Sequence, residues 1–248
     1  MKHYFDISRF WLLLKMEITR SRKGVLMALV IILGISFFLG LLLTPVFEPG
    51  LIYYSHSAGY GFMMLTAGFI LSGMAFRDMG NPLKRANYFM LPVSIFERFL
   101  VMWLLTSIGW VILFTLVYSL YTFFANVVGQ LIYSHLTYET FNPLDPFAVT
   151  IMKYYIVLQG IFLAGAAHFR GYAFPKTLLT LVLFAAVCGG MVYLILRSNF
   201  HFDWETVPDA FTGMPIELVW NVLQWMFWWL LAPVTWLITY LGLKEQEV

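Results

Sequence analysis

The feature that most constrains this chain is the distribution of Asp, Glu, Lys and Arg, which leaves six long windows without charge. The windows are 24–47, 49–76, 99–138, 154–169, 177–196 and 218–243. Five of the six hold the roughly 20 residues that a membrane-spanning helix needs. The fourth becomes long enough if the aliphatic stem of Lys153 carries its charge outward to the membrane surface. The windows therefore predict an all-α polytopic membrane protein.

The composition agrees, because 11% of the 248 residues are charged and 61% are hydrophobic. A soluble domain carries about 25% charged residues. Between Phe99 and Leu136 neither a charge nor a proline marks a turn, so we predict one long tilted helix there. Pro233 is expected to kink the last span. We predict six spans, at about 24–44, 59–77, 95–128, 147–169, 177–197 and 216–243.

The basic residues set the orientation. With six spans, 13 of the 15 Lys and Arg residues fall on one side of the membrane, and the other two are Lys153 and Arg197. Basic loops stay in the cytoplasm of multi-pass proteins. We therefore expect both termini to be cytoplasmic.

Residues 1–23 are too interrupted by charge to span a membrane, and we predict an interfacial helix there. Its apolar side chains are expected in lipid: Phe10, Trp11, Leu13, Leu14 and Ile18. Its basic side chains are expected to meet lipid phosphates: Arg9, Lys15, Arg20 and Arg22. Asp6 or Ser8 is expected to cap its start. The alternative is an ordinary positively charged flank before the first span.

The charged stretch 77–98 between the second and third spans contains several residues that are typical of helix starts and helix ends. Asn81-Pro82 is typical of a helix start, and Leu91-Pro92 of a helix end. Ser94 and Glu97 have the spacing of a capping box, which predicts the start of the third span. The segment is thus expected to hold a short helix, Pro82–Met90. That helix would serve either as a basic patch for anionic headgroups or as a docking surface for a cytoplasmic protein.

Two further patterns concern the membrane interior. Three pairs of small residues have the i,i+4 spacing that permits close helix packing: Gly68 and Ser72, Gly160 and Ala164, Ala185 and Gly189. They are candidates for internal contacts or for a dimer face. The main strongly polar residues within the predicted spans are Asn126, Gln159, Asn221 and Gln224. Because the spans hold little else that is polar, we expect any transported substrate to be amphipathic or apolar.

An interfacial helix, six spans, cytoplasmic termini and a short cytoplasmic helix between the second and third spans resemble the plan of the ABC-2 type permeases. These are the membrane subunits of type V ABC exporters. Two stretches are similar to segments of small, uncharacterised bacterial members: "YFMLPVSIFERFL", Tyr88–Leu100, and "IFLAGAAHFRGYAFPKTLL", Ile161–Leu179. The connections 129–149 and 198–216 depart from the family pattern.

The resemblance implies that Pro82–Met90 is the coupling helix, which seats in a cleft of the ATPase subunit. The docking residues that it implies are Pro82, Lys84, Arg85, Asn87, Tyr88, Phe89 and Met90. Secondary docking through Arg170 and Lys176 is implied in the same way. The implied partners are an ABC ATPase subunit, a second permease subunit that is either identical or different, and membrane lipid. The implied location is a bacterial inner membrane.

The chain is therefore expected to be the transmembrane permease subunit of an ABC exporter. It has no G-x-x-x-x-G-K-[ST], H-E-x-x-H or G-x-S-x-G pattern. We expect no enzymatic activity, bound cofactor, metal or nucleic acid on this chain, with ATP and Mg on the separate ATPase. The alternative is a non-transporting membrane scaffold or assembly subunit that recruits a cytoplasmic partner. A membrane enzyme is the third possibility.

Overall fold

The chain folds into a bundle of long helices. The computed structural model describes residues 5–47, 53–80, 90, 92–133, 137–169, 171–200 and 216–246. The α-helices within these ranges are α1 (Ile7–Phe47), α2 (Ser57–Gly73), α3 (Ile95–Leu104), α4 (Trp110–Ile132), α5 (Pro146–His168), α6 (Ala173–Phe200), α7 (Ile216–Trp229) and α8 (Leu231–Glu245). Two short strands, β1 (Tyr53–Tyr54) and β2 (Thr137–Tyr138), pair in parallel.

The predicted class is confirmed, because the long helices are apolar enough to cross a membrane. Among the described residues, five helices qualify by length and hydropathy, and the bent pair α7–α8 would make a sixth span. The side chain of Lys153 is exposed in the second turn of α5. That position agrees with a charge directed toward the nearby end of the helix.

The N-terminal region differs from the prediction. Residues 1–23 were expected to form a separate interfacial helix, but α1 is one continuous helix of 41 residues from Ile7 to Phe47. Its length is about 60 Å, twice the thickness of a hydrocarbon core. Phe10, Leu13 and Leu14 are buried against Val101 of α3, so the prediction that they lie in lipid is wrong. Trp11 and Ile18 are exposed, as predicted.

The third span is one element, as predicted, and it contains an unpredicted π-helical turn. The turn covers Leu105–Gly109 and joins α3 to α4 without a change of direction that would end the span. A π turn inserts one extra residue and displaces the backbone hydrogen-bond pattern. The hydroxyl of Tyr155 on α5 donates to the carbonyl of Thr106 within this turn. The inserted turn is therefore tied to a neighbouring helix.

The helix pair α7–α8 is bent, as expected from Pro233. The axes of α7 and α8 differ by 42° across Leu230. Pro233 has no N–H to donate to the carbonyl of Trp229, and its ring crowds that carbonyl. The break falls at this point because the helical hydrogen bond from residue 233 to residue 229 is impossible.

The centre of the bundle is an aromatic core between α1, α2, α4 and α5. Its fully buried members include Tyr60, Phe114 and Tyr155. Gly68 allows α2 to approach its neighbours closely, since a Cβ there would lie 2.6 Å from Nε1 of Trp110. A side chain at residue 68 would therefore push α2 away from its neighbours.

At one end of the bundle, a hydrogen-bonded clasp joins the two strands to α2 and α4. Nε2 of His56 lies 2.6 Å from Oδ1 of Asn126, and Nδ2 of Asn126 donates to the carbonyl of Glu139 over 3.3 Å. The hydroxyl of Tyr118 donates to the carbonyl of His56 over 2.9 Å. Because the amide nitrogen of Asn126 is engaged by Glu139, its oxygen faces His56 as an acceptor. His56 Nε2 is therefore the protonated ring nitrogen.

The clasp predicts a dependence of stability on pH. Burial lowers the pKa of His56, and its hydrogen bond to Asn126 offsets part of that effect. A lowered folded-state pKa means that the unfolded chain binds a proton first as the pH falls below about 6.5. Thermal unfolding of the purified protein should therefore show full stability above this pH and a loss below it, with a slope of at most about 1.4 kcal/mol per pH unit. His56→Gln keeps a donor for Asn126 and should flatten this slope; an unchanged slope would assign the effect to other groups.

Candidate functional site

The charged stretch 77–98 is described mainly in its two flanks, 77–80 and 92–98, and both flanks lie at what we call the basic end of the bundle. We use this name for the end that carries the start of α1, the start of α3, the α5–α6 connection and the end of α8. Most of the predicted docking residues lie outside the described residues: Pro82, Lys84, Arg85, Asn87, Tyr88, Phe89 and Arg170. Met90 is described and is 78% exposed. Lys176 is exposed in the first turn of α6.

The predicted capping box is present at the start of α3. The hydroxyl of Ser94 accepts from the backbone N–H of Glu97 over 3.2 Å. The carboxylate of Glu97 accepts from the backbone N–H of Ser94 over 2.7 Å. These reciprocal bonds satisfy two N–H groups that a helix start leaves without partners. The chain therefore enters α3 with a fixed direction on the C-terminal side of the 81–89 segment.

Glu97 also connects this helix start to α1. Its side chain is fully buried, and its Oε1 accepts from the backbone N–H of Asp6 over 2.7 Å. The same oxygen lies 3.3 Å from Nη2 of Arg9, whose Nη1 donates to the carbonyl of Pro92 over 3.4 Å. One buried carboxylate thus serves α3 and α1 together. Charged hydrogen bonds of this kind are stronger than neutral ones.

A second connection lies on the other side of the segment. A 3₁₀ turn, Arg77–Gly80, follows α2, and Asp78 in this turn forms an ion pair with Arg20 of α1. Arg9 and Arg20 are 11 residues apart, which is about three helical turns and about 16 Å along one face of α1. We call the two connections the double clamp: Arg9–Glu97 and Arg20–Asp78. The double clamp ties both flanks of residues 81–89 to the same helix.

A packed apolar layer supports the basic end. Its buried members come from the 3₁₀ turn and the residue before it, and from α3, α5 and α8: Phe76, Met79, Met102, Leu163, Ala166, Ala167 and Leu243. The side chain of Gln246 donates to the carbonyl of Ala167, which joins the end of α8 to the end of α5. A Cβ at Gly242 would lie 2.7 Å from Nδ1 of His168. His168 therefore packs against α8.

The connection between α5 and α6 is tight and exposes an aromatic ring. Gly171 and Tyr172 have φ values of +66° and +50°. A non-glycine residue with positive φ is uncommon and is found most often at turns and functional sites. Tyr172 is 86% exposed. Tyr172 and Met90 are thus two accessible apolar side chains at the basic end, and Tyr172 lies near Lys176.

Comparisons with protein-family models, curated proteins and solved structures found no match. Within the described ranges, no group of three His, Cys, Asp or Glu side chains could hold a metal ion. The basic end instead combines exposed cations and apolar side chains on a framework that the double clamp fixes. Such a surface suits recognition of another protein, where a few anchors and complementary charges decide binding.

The sequence interpretation missed the partners of the double clamp. Arg9 and Arg20 were assigned to lipid phosphates, but in the structure Arg9 pairs with Glu97 and Arg20 with Asp78. Their spacing of 11 residues was the available signal, because it places both on one face of a helix. The identity of their partners depends on contacts over 88 and 58 positions of the sequence, which spacing alone does not reveal. Tyr172 carried no sequence signal beyond its place after a glycine.

Proposed function

We propose that this chain is the membrane-spanning permease subunit of an ABC exporter, and that it docks a separate ATPase subunit through residues 82–90. The observation that carries the proposal is the double clamp. Because both flanks of the segment are tied to α1, a force applied to the segment would reach a helix about 60 Å long. Such a connection suits a protein that converts work done outside the membrane into movement of its spans.

The docking role of the individual residues follows from their chemistry. Lys84 and Arg85 would steer an acidic cleft toward the segment, and Tyr88, Phe89 and Met90 would fill apolar pockets. Lys176 and Arg170 would add secondary contacts at the neighbouring connection. ATP and Mg would bind to the partner, which would supply the energy. Both termini would lie in the cytoplasm of a bacterial cell, with the chain in its inner membrane.

A pull-down in mild detergent from the native cell, followed by mass spectrometry of the intact complex, tests the proposal. The expected result is a complex of two permease and two ATPase chains. A complex with other cytoplasmic proteins and without an ATPase would favour the scaffold function. An activity that survives in the purified chain alone would favour a membrane enzyme.

The second permease subunit is proposed to pack against α6. Between Leu178 and Leu194 the side chains of this helix are exposed except for the half-buried Leu181, and Ala185 and Gly189 lie on it at i,i+4 spacing. A Cβ at Gly189 would meet none of the described residues within 4 Å. The Ala185 and Gly189 pair therefore makes no close packing contact with the described residues, which suits contact with another helix.

Cys188, the single cysteine of the chain, is exposed beside this pair and provides a native probe. Oxidation with copper phenanthroline in native membranes should convert about half or more of the protein into a disulfide-linked homodimer, provided the Cα atoms approach within about 7 Å. The measurement is non-reducing electrophoresis. Cys188→Ser should stay monomeric, and Cys188→Ser with Phe123→Cys, on the exposed face of α4, should cross-link poorly. Equal cross-linking from α4 would argue against α6 as the interface.

A further inference from the structure

A layer of polar side chains lies inside the bundle at one depth. Trp103 is eight residues from the start of α3, Gln159 is nine residues from the end of α5, and Trp236 is nine residues from the end of α8. All three helix ends belong to the basic end. At 1.5 Å per residue, the layer is about 12–14 Å from these ends. With these helix ends placed at the edge of a hydrocarbon core, whose half-thickness is about 15 Å, the layer would lie near the middle of the membrane.

The three residues meet at the junction of α3, α5 and α8. The rings of Trp103 and Trp236 are in an edge-to-face contact with centroids 5.1 Å apart. Trp236 also packs on the residue next to Gln159, because a Cβ at Gly160 would lie 3.2 Å from its Cδ1. The glycine lets α8 approach the backbone of α5 closely. We call this group the mid-membrane layer: Trp103, Gln159 and Trp236.

The mid-membrane layer has hydrogen-bonding capacity that its described surroundings do not use. Gln159 is fully buried, and neither its Nε2 nor its Oε1 has a partner among the described residues. The same holds for the buried Nε1 atoms of Trp103 and Trp236. Nearby hydroxyls are satisfied: Thr106 donates to Met102, Thr235 to Leu231 and Thr239 to Thr235. Buried polar groups without partners are rare in proteins and call for an explanation.

Two backbone interruptions flank the mid-membrane layer. The π-helical turn begins at Leu105, two residues after Trp103, and the break at Leu230 is six residues before Trp236. Helix interruptions inside membranes are typical of sites where a molecule binds or a segment moves. The break at Leu230 separates α8 from α7, so a movement of α8 can open the junction without displacing the whole span.

We infer that the mid-membrane layer is a binding site for one neutral hydrogen-bond acceptor, an amide or ester carbonyl, carried by an amphipathic molecule. The layer holds three donor nitrogens, which carry four N–H bonds, and one carbonyl oxygen, so it matches an acceptor better than a donor. None of the three side chains is charged, and an anion in the middle of a membrane would need a cation beside it. The assignment of this molecule as the transported substrate rests on the proposed function; the carbonyl chemistry does not.

The test uses the full chain with ¹⁵N-labelled tryptophan in nanodiscs of a diether phosphatidylcholine, which has no ester carbonyl. Indole resonances are assigned with Trp103→Phe and Trp236→Phe. Titration with N-octylacetamide should shift both resonances in a saturable manner, whereas n-octane should not. Gln159→Met, nearly isosteric and apolar, should weaken the apparent affinity by about tenfold. Gln224→Met is the matched control, because Gln224 is exposed on α7 and should behave as the unmodified chain does.

The source of the carbonyl is decided with nanodiscs of the diester lipid. If a lipid ester fills the site, both resonances will already be shifted there and N-octylacetamide will add nothing. If the occupant is a separate amphipathic molecule, the two lipids will give the same spectra until N-octylacetamide is added. Either outcome supports the site.

Three outcomes would overturn the inference. One is an equal shift with n-octane, another is an unchanged titration in Gln159→Met, and the third is an absence of any shift with both carbonyl sources. Thermal stability provides a second readout if a variant spectrum is poor: N-octylacetamide should raise the melting temperature of the unmodified chain and not that of Gln159→Met. Recovery of an ATPase in the pull-down without any effect of the probe would overturn only the site. Binding of the probe without an ATPase would overturn only the exporter proposal.

Discussion

Reversing two charges in the docking segment, Lys84→Glu together with Arg85→Glu, is expected to weaken association with the ATPase subunit by about tenfold to hundredfold. The two cations would face an acidic cleft, and their reversal would replace attraction by repulsion at close range. Because the double clamp fixes both flanks of the segment, the change should act on docking rather than on the fold. The measurement is quantitative recovery of the ATPase with the tagged chain, repeated at increasing salt.

The matched control is Arg22→Glu with Lys23→Glu. Both side chains are exposed on α1, and the change in net charge is the same. Recovery of the ATPase should be unaffected in this control, and both double variants should reach the membrane in equal amounts. High salt should weaken the unmodified complex and leave the Lys84 and Arg85 variant little changed, because screening removes an attraction that the variant already lacks. Equal recovery from the unmodified chain and this variant would show that 82–90 is not the docking surface.

Local sequence rules predicted the elements whose cause is local. The capping box at Ser94 and Glu97 depends on residues three positions apart, and the bend at Leu230 depends on the missing N–H of Pro233. The third span was predicted as a single span because no residue between Phe99 and Leu136 ends a helix in an apolar environment. Each of these features can be read from a few neighbouring residues and a backbone rule.

The prediction for residues 1–23 failed because charge was treated as a helix boundary. Lys15, Arg20 and Lys23 make it unfavourable for a segment to enter lipid, but Lys and Arg are good helix formers. Nothing in their backbone chemistry interrupts hydrogen bonding, so α1 continues from the charged region into the apolar one. The burial of Phe10 and Leu13 depends on Val101 of α3, which is about 90 residues away in the sequence.

The sequence predicts a docking segment between the second and third spans, and it predicts the described contacts on either side of that segment only in part. Its location between the second and third spans followed from charge clustering and from the prolines at 82 and 92. The tie between Asp78 and Arg20, and the second role of Glu97, arise from packing of α1 along α3 and the 3₁₀ turn. These contacts join segments that are far apart in the sequence, and one sequence alone does not indicate which distant segments meet. The same limit applies to the mid-membrane layer, whose members come from three different helices.

Glu97→Ala is expected to lower the stability of the purified chain by about 2–4 kcal/mol. The carboxylate is fully buried and serves three groups at once: the backbone N–H of Ser94, the backbone N–H of Asp6 and the guanidinium of Arg9. Its removal leaves these three groups without this acceptor inside a packed interface, where water reaches them poorly. Thermal unfolding gives the size of the effect. Hydrogen exchange at residues 6–15 should accelerate, because the start of α1 loses its attachment to α3.

Two further variants separate the functions of this carboxylate. Ser94→Ala removes the hydroxyl of the capping box and should cost about 1 kcal/mol, while exchange at residues 6–15 stays slow. Glu97→Gln keeps an acceptor oxygen and a residue suited to the capping box, but it loses the charge that faces Arg9. It should therefore fall between the other two in stability. If the double clamp transmits force, the ATPase should still be recovered with the Glu97→Ala variant. The amount of substrate transported per ATP hydrolysed should be lower than for the unmodified chain. Unchanged exchange at the start of α1 in Glu97→Ala would mean that Arg20 and Asp78 hold that helix without help from Glu97.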